Sequence, residues 1–351
     1  MSSLLISLIK GLASQIIVLH HLTLYGPLAK SFAIAAPTLA WFFYEYGLYA
    51  VQAFFVIGGY LAVSSLGSRI FNFSDFLKSI RIRYVRLIWP YTFALILVMA
   101  VSWIARTFTQ DTIVPAAPSV LQTLTHLLFA QGITGQASLN VGVWYLGIDF
   151  QLYAFCALLV WACARIQMRN AFTLLLTCGV FASVLWFRTL NVFWSEWCVW
   201  FFYAYGFGAL VAQRLDVSQK FSNKIPLFSA LLACSLLLYE AFLRQHDWRF
   251  AVALISGLIL LALPELDKLL DKLPSAVKTF ILINGRQSFA LFLVHFSLSI
   301  AVNAAMDHWE LSGSRVGIIG VLTCWIGANL IASIFYQFLP SIPRVFDRSL
   351  A

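Results

Sequence analysis

Apolar residues run in long blocks separated by short polar stretches, and most blocks have the length a bilayer demands. A helix rises about 1.5 Å per residue, so about twenty apolar residues cross a ~30 Å hydrocarbon layer. Windows of this kind predict ten spans: Leu12–Leu28, Leu39–Ser64, Leu87–Ala105, Val141–Ala164, Ala171–Phe187, Trp197–Gln213, Pro226–Phe242, Phe250–Leu263, Phe280–Ala305 and Val316–Leu339. An eleventh stretch, Ser119–Ile133, is short and carries Gln122, Thr123, Thr125, His126 and Gln131. The longest polar loops run from Gly67 to Arg86 and from Glu265 to Lys278. The pattern predicts an all-α, polytopic integral membrane helix bundle of about ten transmembrane helices plus one short re-entrant or interfacial helix. It forms one domain over residues 1–351, with no separate soluble part.

Charge decides the status of the short stretch, because Lys and Arg accumulate in cytoplasmic loops. If Ser119–Ile133 does not cross and the N-terminus is inside, 17 of the 23 basic residues fall on the cytoplasmic side, among them Lys10, Arg69, Arg83, Arg86, Arg169, Lys220, Arg286, Arg344 and Arg348. Letting it cross would put most of the later basic loops outside. Both termini are therefore expected in the cytoplasm. The first apolar stretch has no small-residue cleavage site after it and reads as a retained span.

Composition agrees: 61% of residues are hydrophobic and only 11% charged. The net charge of +9 would raise nucleic acid as a partner in a soluble chain. Here the basic residues sit at helix ends, and topology accounts for them. The six cysteines fall in apolar stretches without a CxxC pair, which reads as buried small hydrophobes rather than disulfides or metal ligands.

Against this background a few polar residues stand out. Lys10 is followed after ten residues by His21, and eleven helical steps put the imidazole roughly 16 Å beyond the lysine. An ionisable ring at that depth is a functional candidate by default, with a packing hydrogen bond as the alternative. His20 points about 100° away and cannot face the same centre equally well. Asp149 lies about eight residues into its span, roughly 12 Å deep, where it needs a partner: His21, a basic group lining a cavity, or water. Gln52 reaches a similar depth. A His, an Asp and a Gln at one level suit acid–base chemistry or a structural polar network. Arg83 and Arg86, three apart, share a helix face that suits a polyphosphate or serves as a positive-inside anchor. Asn284, Gly285 and Arg286 mark the inner edge of a span, and His295 lies about nine residues further in, lining the same cavity or packing.

Taken together, the chain resembles acyltransferase family 3, multi-span bacterial enzymes that acylate glycans and related envelope or secreted molecules. Five phrases match in family order: Lys10 with His21; AVQAFFVIGGYL around Gln52; Arg83, Arg86 and Pro90; WYLGIDFQLY from Trp144 through Asp149 to Tyr153; and GRQSFALFLVHF from Gly285 through Arg286 to His295. Lys10 replaces the family's Arg, Gln52 its acidic residue, Asp149 its Glu, and Gly58 its Ser. Those departures preserve polarity and put acyl and acceptor preference in doubt.

The resemblance implies a bacterial inner-membrane enzyme moving an acyl group, acetyl by expectation, from cytoplasmic acyl-CoA to a hydroxyl or amine. The acceptor would be a glycan, a lipid-linked sugar or a small envelope molecule. In that scheme His21 is the general base or a transient acyl carrier, and Asp149 orients its ring. Lys10, Gln52, Arg83, Arg86, Trp144, Tyr153, Arg286 and His295 bind substrate. Acyl-CoA is a substrate, and no bound cofactor or metal is implied. Membrane lipid surrounds the chain, no nucleic acid is expected, and a homodimer stays open. A transporter or flippase is the rival class, since it also needs polar groups at the midplane and a basic inner mouth.

Overall fold

The computed structural model describes residues 3–66, 72–166, 170–190, 195–216, 224–244 and 246–338. Arg69, Arg169, Lys220, Leu339, Arg344 and Arg348, all placed by the sequence reading, lie outside the described residues. Among the described residues the regular elements are helices, with no strand. The main ones are α1 (Leu4–Leu22), α2 (Gly26–Ala35), α3 (Pro37–Leu66), α4 (Phe73–Ala105), α5 (Val120–Leu127), α6 (Val143–Ile166), α7 (Ala171–Phe187) and α8 (Cys198–Leu215). After them come α9 (Ile225–Arg244), α10 (Trp248–Leu261), α11 (Leu263–Leu270), α12 (Ser275–His308) and α13 (Ser314–Phe338).

Seven of these, α1, α3, α4, α6, α9, α12 and α13, are long and apolar enough to cross a membrane. The pair α10 and α11, bent by 73°, makes an eighth if counted as one span. Pro264 in the first turn of α11 explains the bend, since proline offers no N–H to continue the preceding helix. The windows expected over α7 and α8 are helical, but these two helices fall short on length or apolarity, so ten spans are not reached on those measures. α8 is lowered in apolarity chiefly by Gln213 and Arg214 at its end, with Trp200, Tyr203 and Tyr205 adding to it. It is nonetheless buried continuously from Phe201 to Ala212, because neighbouring helices surround it.

Several boundaries differ from expectation for identifiable reasons. The first span begins at Leu4 and ends at Leu22, not Leu28, because Gly26 takes a left-handed φ of 70° and Pro27 opens a new helix. His21 therefore sits in the last turn of α1. The basic stretch before Arg86 is no loop from Phe73 onward. Asn72 and Asp75 form a reciprocal capping box, and one helix of 33 residues runs from there through the apolar window. The Glu265–Lys278 region is likewise mostly helical, shared between α11 and the start of α12. The Ser119–Ile133 stretch contains only the eight-residue α5, with Ser119 as its N-cap. Eight residues rise about 12 Å, too little to cross.

Two close crossings position the site. α3 meets α8 where an added Cβ at Gly59 would stand 1.8 Å from the Tyr205 carbonyl oxygen and one at Gly208 1.9 Å from that of Val56. α1 meets α12 at Gly285, where a Cβ would stand 2.5 Å from the Ser7 backbone. Small residues at such crossings let helix backbones approach in a lipid setting. The Ser7–Gly285 contact and the His21–His295 contact show α1 and α12 running in the same direction. Lys10 and Ser288 lie toward one end of this pair, and Leu24 and Phe296 toward the other.

Candidate active site

Helical spacing explains which side chains converge. On α6, Tyr145, Asp149 and Tyr153 recur every four residues and share a face directed at α4. On that face Arg83 donates to Asp149 at 2.5 Å, and its guanidinium lies 5.1 Å from the centre of the Tyr153 ring. On α12, Gly285, Ser288, Phe292 and His295 form another stripe, directed at α1. A cavity of about 290 Å³ lies between these faces, lined by Lys10, Arg83, Arg86, Tyr145, Asp149, Ser288 and Phe292 among others. Three cations and one carboxylate surround it. Since Asp149 is engaged by Arg83, Lys10 and Arg86 remain without an ion pair among the described residues.

Beyond this cavity the His21 ring stacks on the His295 ring, with centroids 5.2 Å apart and planes 23° from parallel. Both residues are buried. His295 Nδ1 lies 2.9 Å from the Phe292 carbonyl oxygen and 3.2 Å from that of Leu291, so Nδ1 carries the hydrogen. His295 Nε2 and His21 Nδ1 are buried and without a partner. His20 is used differently: its Nδ1 lies 2.8 Å from the Phe43 carbonyl oxygen, pinning α1 to α3.

Further along α12 lies a second cavity, of about 480 Å³. Leu24, Tyr25, Asp111, Thr112, Gln122, Ser138 and Phe296 are among the residues that line it. Phe292 lines the first cavity and Phe296 the second. Four residues of helix separate them, about 6 Å. Along α12 the two linings are therefore about one helical turn apart, and His295, stacked on His21, belongs to that turn.

Of the residues singled out in the sequence, Lys10, Arg83, Arg86 and Asp149 meet at one cavity, Tyr153 backs Arg83, and His21 pairs with His295. Three are placed elsewhere. Gln52 accepts from the Tyr203 hydroxyl at 2.9 Å and lines neither cavity. Trp144, one residue off the Asp149 face, packs on Phe55 and Phe201. Arg286, one residue off the Gly285 face, is exposed. Asp149 was open to three partners and takes the basic one. His126 does not face the second cavity: it is fully buried and bonded to Gln122 and Leu139.

Several lining residues were missed: Tyr145, Ser288 and Phe292 in the first cavity, and Tyr25, Asp111 and Phe296 in the second. Tyr145 lies four residues before Asp149, and Phe292 three before His295, so helical periodicity could have found both. Asp111 sits in an irregular connection with no such signal. No cluster of three or more His, Cys, Asp or Glu able to hold a metal occurs among the described residues.

An acyltransferase domain family, acyltransferase family 3, matches the chain over residues 5–336, from the first turn of α1 to the last of α13. The chain belongs to that family. No curated protein and no solved structure matches. Family membership makes this a membrane acyltransferase.

Proposed function

We propose that the protein transfers an acyl group from acyl-CoA, bound in the basic cavity, to a hydroxyl or amine presented through the second cavity. The observation that carries this reading is that two cavities come within one helical turn of each other along α12, at Phe292 and at Phe296, with His295 in that turn and His21 stacked on it; the first is lined by three cations and Asp149, the second by neutral polar groups and Asp111. Lys10 and Arg86 are free to pair with the phosphates of a CoA ester, and a guanidinium suits phosphate oxygens because its N–H groups match them bidentately. Arg83, held by Asp149, sets the wall of the cavity and adds positive potential.

The thioester would reach His21 past Tyr145 and Phe292. His21 then acts as the acid–base group of the transfer or carries the acyl group transiently. In either route the acceptor's oxygen or nitrogen bonds to the acyl carbon, the C–S bond breaks, and the proton lost by the acceptor ends on the CoA sulfur. Burial of the histidines keeps water from competing for the thioester. The expected donor is acetyl-CoA, and the expected acceptors are glycans, lipid-linked sugars or small envelope molecules. The positive-inside rule supports a cytoplasmic basic cavity and cytoplasmic termini, and the family resemblance supports a bacterial inner membrane. About ten spans, with α7 and α8 crossing while sheltered by their neighbours, complete this topology.

The test is release of free thiol from acetyl-CoA by membranes containing the protein, with and without a crude envelope-glycan extract, followed by mass spectrometry of the extract for an added acyl mass. Acceptor-dependent thiol release with an added mass supports transfer. Neither signal would instead favour a transporter using the same polar midplane groups.

A further inference from the structure

We propose that His295 is a second catalytic group, whose Nε2 takes the proton from the acceptor hydroxyl or amine while His21 serves the thioester. This rests on the transfer reading above and deepens it by dividing acid–base work between two rings.

His21 Nδ1 is buried and has no hydrogen-bond partner. The carboxylate nearest to hand in the sequence reading, Asp149, is committed to Arg83. The ring that does contact His21 is His295, stacked at 5.2 Å. His295 is also prepared for one job. Its Nδ1–H is engaged by backbone carbonyls of its own helix, which fixes both the tautomer and the ring's orientation. In the neutral ring that leaves Nε2 with a lone pair and no hydrogen. This atom is buried and has no partner, although buried polar atoms are nearly always satisfied. A purely structural histidine would be expected to use both nitrogens, as His126 does. The next residue along, Phe296, lines the second cavity, so His295 lies within one helical turn of the space an acceptor would fill.

The chemistry balances without another reactant. The acceptor's O–H or N–H bond breaks toward His295 Nε2 as its heteroatom bonds to the acyl carbon. The proton on His295 passes through water to His21, and from that imidazolium to the CoA sulfur as the C–S bond breaks, so both rings are neutral again. A His at Nε2 distance from the acceptor is the form of general base that contributes roughly 10²–10⁴ in rate.

The test compares wild type with His295→Gln and His295→Ala in purified, detergent-solubilised protein. It measures acceptor-dependent thiol release from acetyl-CoA with the envelope-glycan extract, acetyl-CoA binding by calorimetry, and thermal unfolding. The expected result is near-wild-type acetyl-CoA affinity and unfolding temperature for His295→Gln with a rate at least about 100-fold lower. Added imidazole should restore part of the rate in His295→Ala. A His295→Gln rate within about threefold of wild type overturns the proposal. So does joint loss of acetyl-CoA binding, folding and rate in both variants with no imidazole rescue, which marks a packing residue. Absence of thiol release by wild type instead overturns the transfer reading, which separates the two failures.

Discussion

Arg83 on α4 donates to Asp149 on α6 at 2.5 Å, joining two helices across the mouth of the basic cavity. The carboxylate is almost fully buried, with 6% of its side-chain surface exposed, whereas the guanidinium keeps 34%. This asymmetry matters, since a buried charge is tolerated only when paired. Asp149 thus depends on Arg83 more than the reverse, and the pair is read as the strut that shapes the cavity.

From that asymmetry, Arg83→Ala is expected to lower the unfolding temperature more than Asp149→Ala, because it strands the more deeply buried charge. The loss should stay below the ~3–5 kcal/mol of a fully buried broken pair, given the exposure of the guanidinium. Removing both partners should be less harmful than the sum of the single changes, with a coupling of about 1–3 kcal/mol. Thermal unfolding of the three variants in detergent checks this, and strict additivity would show that the pair carries no coupling.

Two adjacent histidines give a sharper comparison. His20 Nδ1 donates to the Phe43 carbonyl, while His21 stacks on His295 with its own Nδ1 unpartnered. His21→Ala should abolish transfer while leaving the protein folded, with a loss of roughly 10²-fold or more. His20→Ala should retain much of the rate and instead destabilise the fold by about 1 kcal/mol for the lost hydrogen bond. Thiol release and unfolding measured on both variants decide it, and equal rates would remove His21 from the chemistry.

Much of this site was legible in the sequence because a helix converts spacing into direction. The eleven-residue step from Lys10 to His21 and the Arg83, Arg86 spacing survive in the structure because each pair lies on one unbroken helix. What spacing could not show was which polar residues pair across helices. Gln52 was grouped with His21 and Asp149 by depth, yet α3 turns it to the Tyr203 hydroxyl of α8. Depth fixes only one coordinate of a side chain, and the rotation of each helix is set by packing, such as the Gly59–Gly208 crossing. The second cavity was illegible for another reason: Asp111 and Ser138 come from irregular chain around α5, where no periodicity operates.

Arg86 separates phosphate binding from architecture better than Arg83 does, since it lines the cavity but makes no ion pair among the described residues. Arg86→Ala should weaken acetyl-CoA binding by roughly tenfold to 100-fold, the span expected for a charge-assisted hydrogen bond of ~1.5–3 kcal/mol. Arg86→Lys should recover only part of this because the fork is lost. Calorimetry with acetyl-CoA gives the answer. Unchanged affinity in Arg86→Ala would make this arginine a topological anchor.

His126 predicts a pH response outside the spans. Its Nδ1–H donates to the Gln122 carbonyl at 2.7 Å, and its Nε2 accepts from the Leu139 N–H at 3.1 Å, an arrangement only the neutral ring can make. Burial pushes this histidine below its ordinary value of 6.5. The folded state therefore binds the proton less readily than the unfolded state. The stability it confers is present above about 6.5 and is lost as pH falls toward the depressed value. Hydrogen-exchange protection at residues 126–140, after correction for the intrinsic slowing of amide exchange in acid, should fall on acidification from pH 7 to pH 5. His126→Gln should remove most of that pH dependence, and an unchanged profile in this variant would place the titrating group elsewhere.

The fate of α5 decides the orientation of every helix after it. Its eight residues rise about 12 Å against a ~30 Å core, so the chain should return to the face from which it came. The flanking positions Gln110 and Gln136 would then share one side of the membrane, the side opposite Lys10. Gln122 of α5 lines the second cavity, so under the proposed function this segment would be part of the acceptor entrance. Single cysteines at Gln110 and Gln136, introduced after replacing the six native cysteines, should both react with an impermeant reagent from outside intact cells. Labelling of Gln136→Cys only after the inner face is exposed would make the stretch a true crossing. The second cavity would then lose its place on the acceptor side, because the residues before and after α5 would lie on different faces.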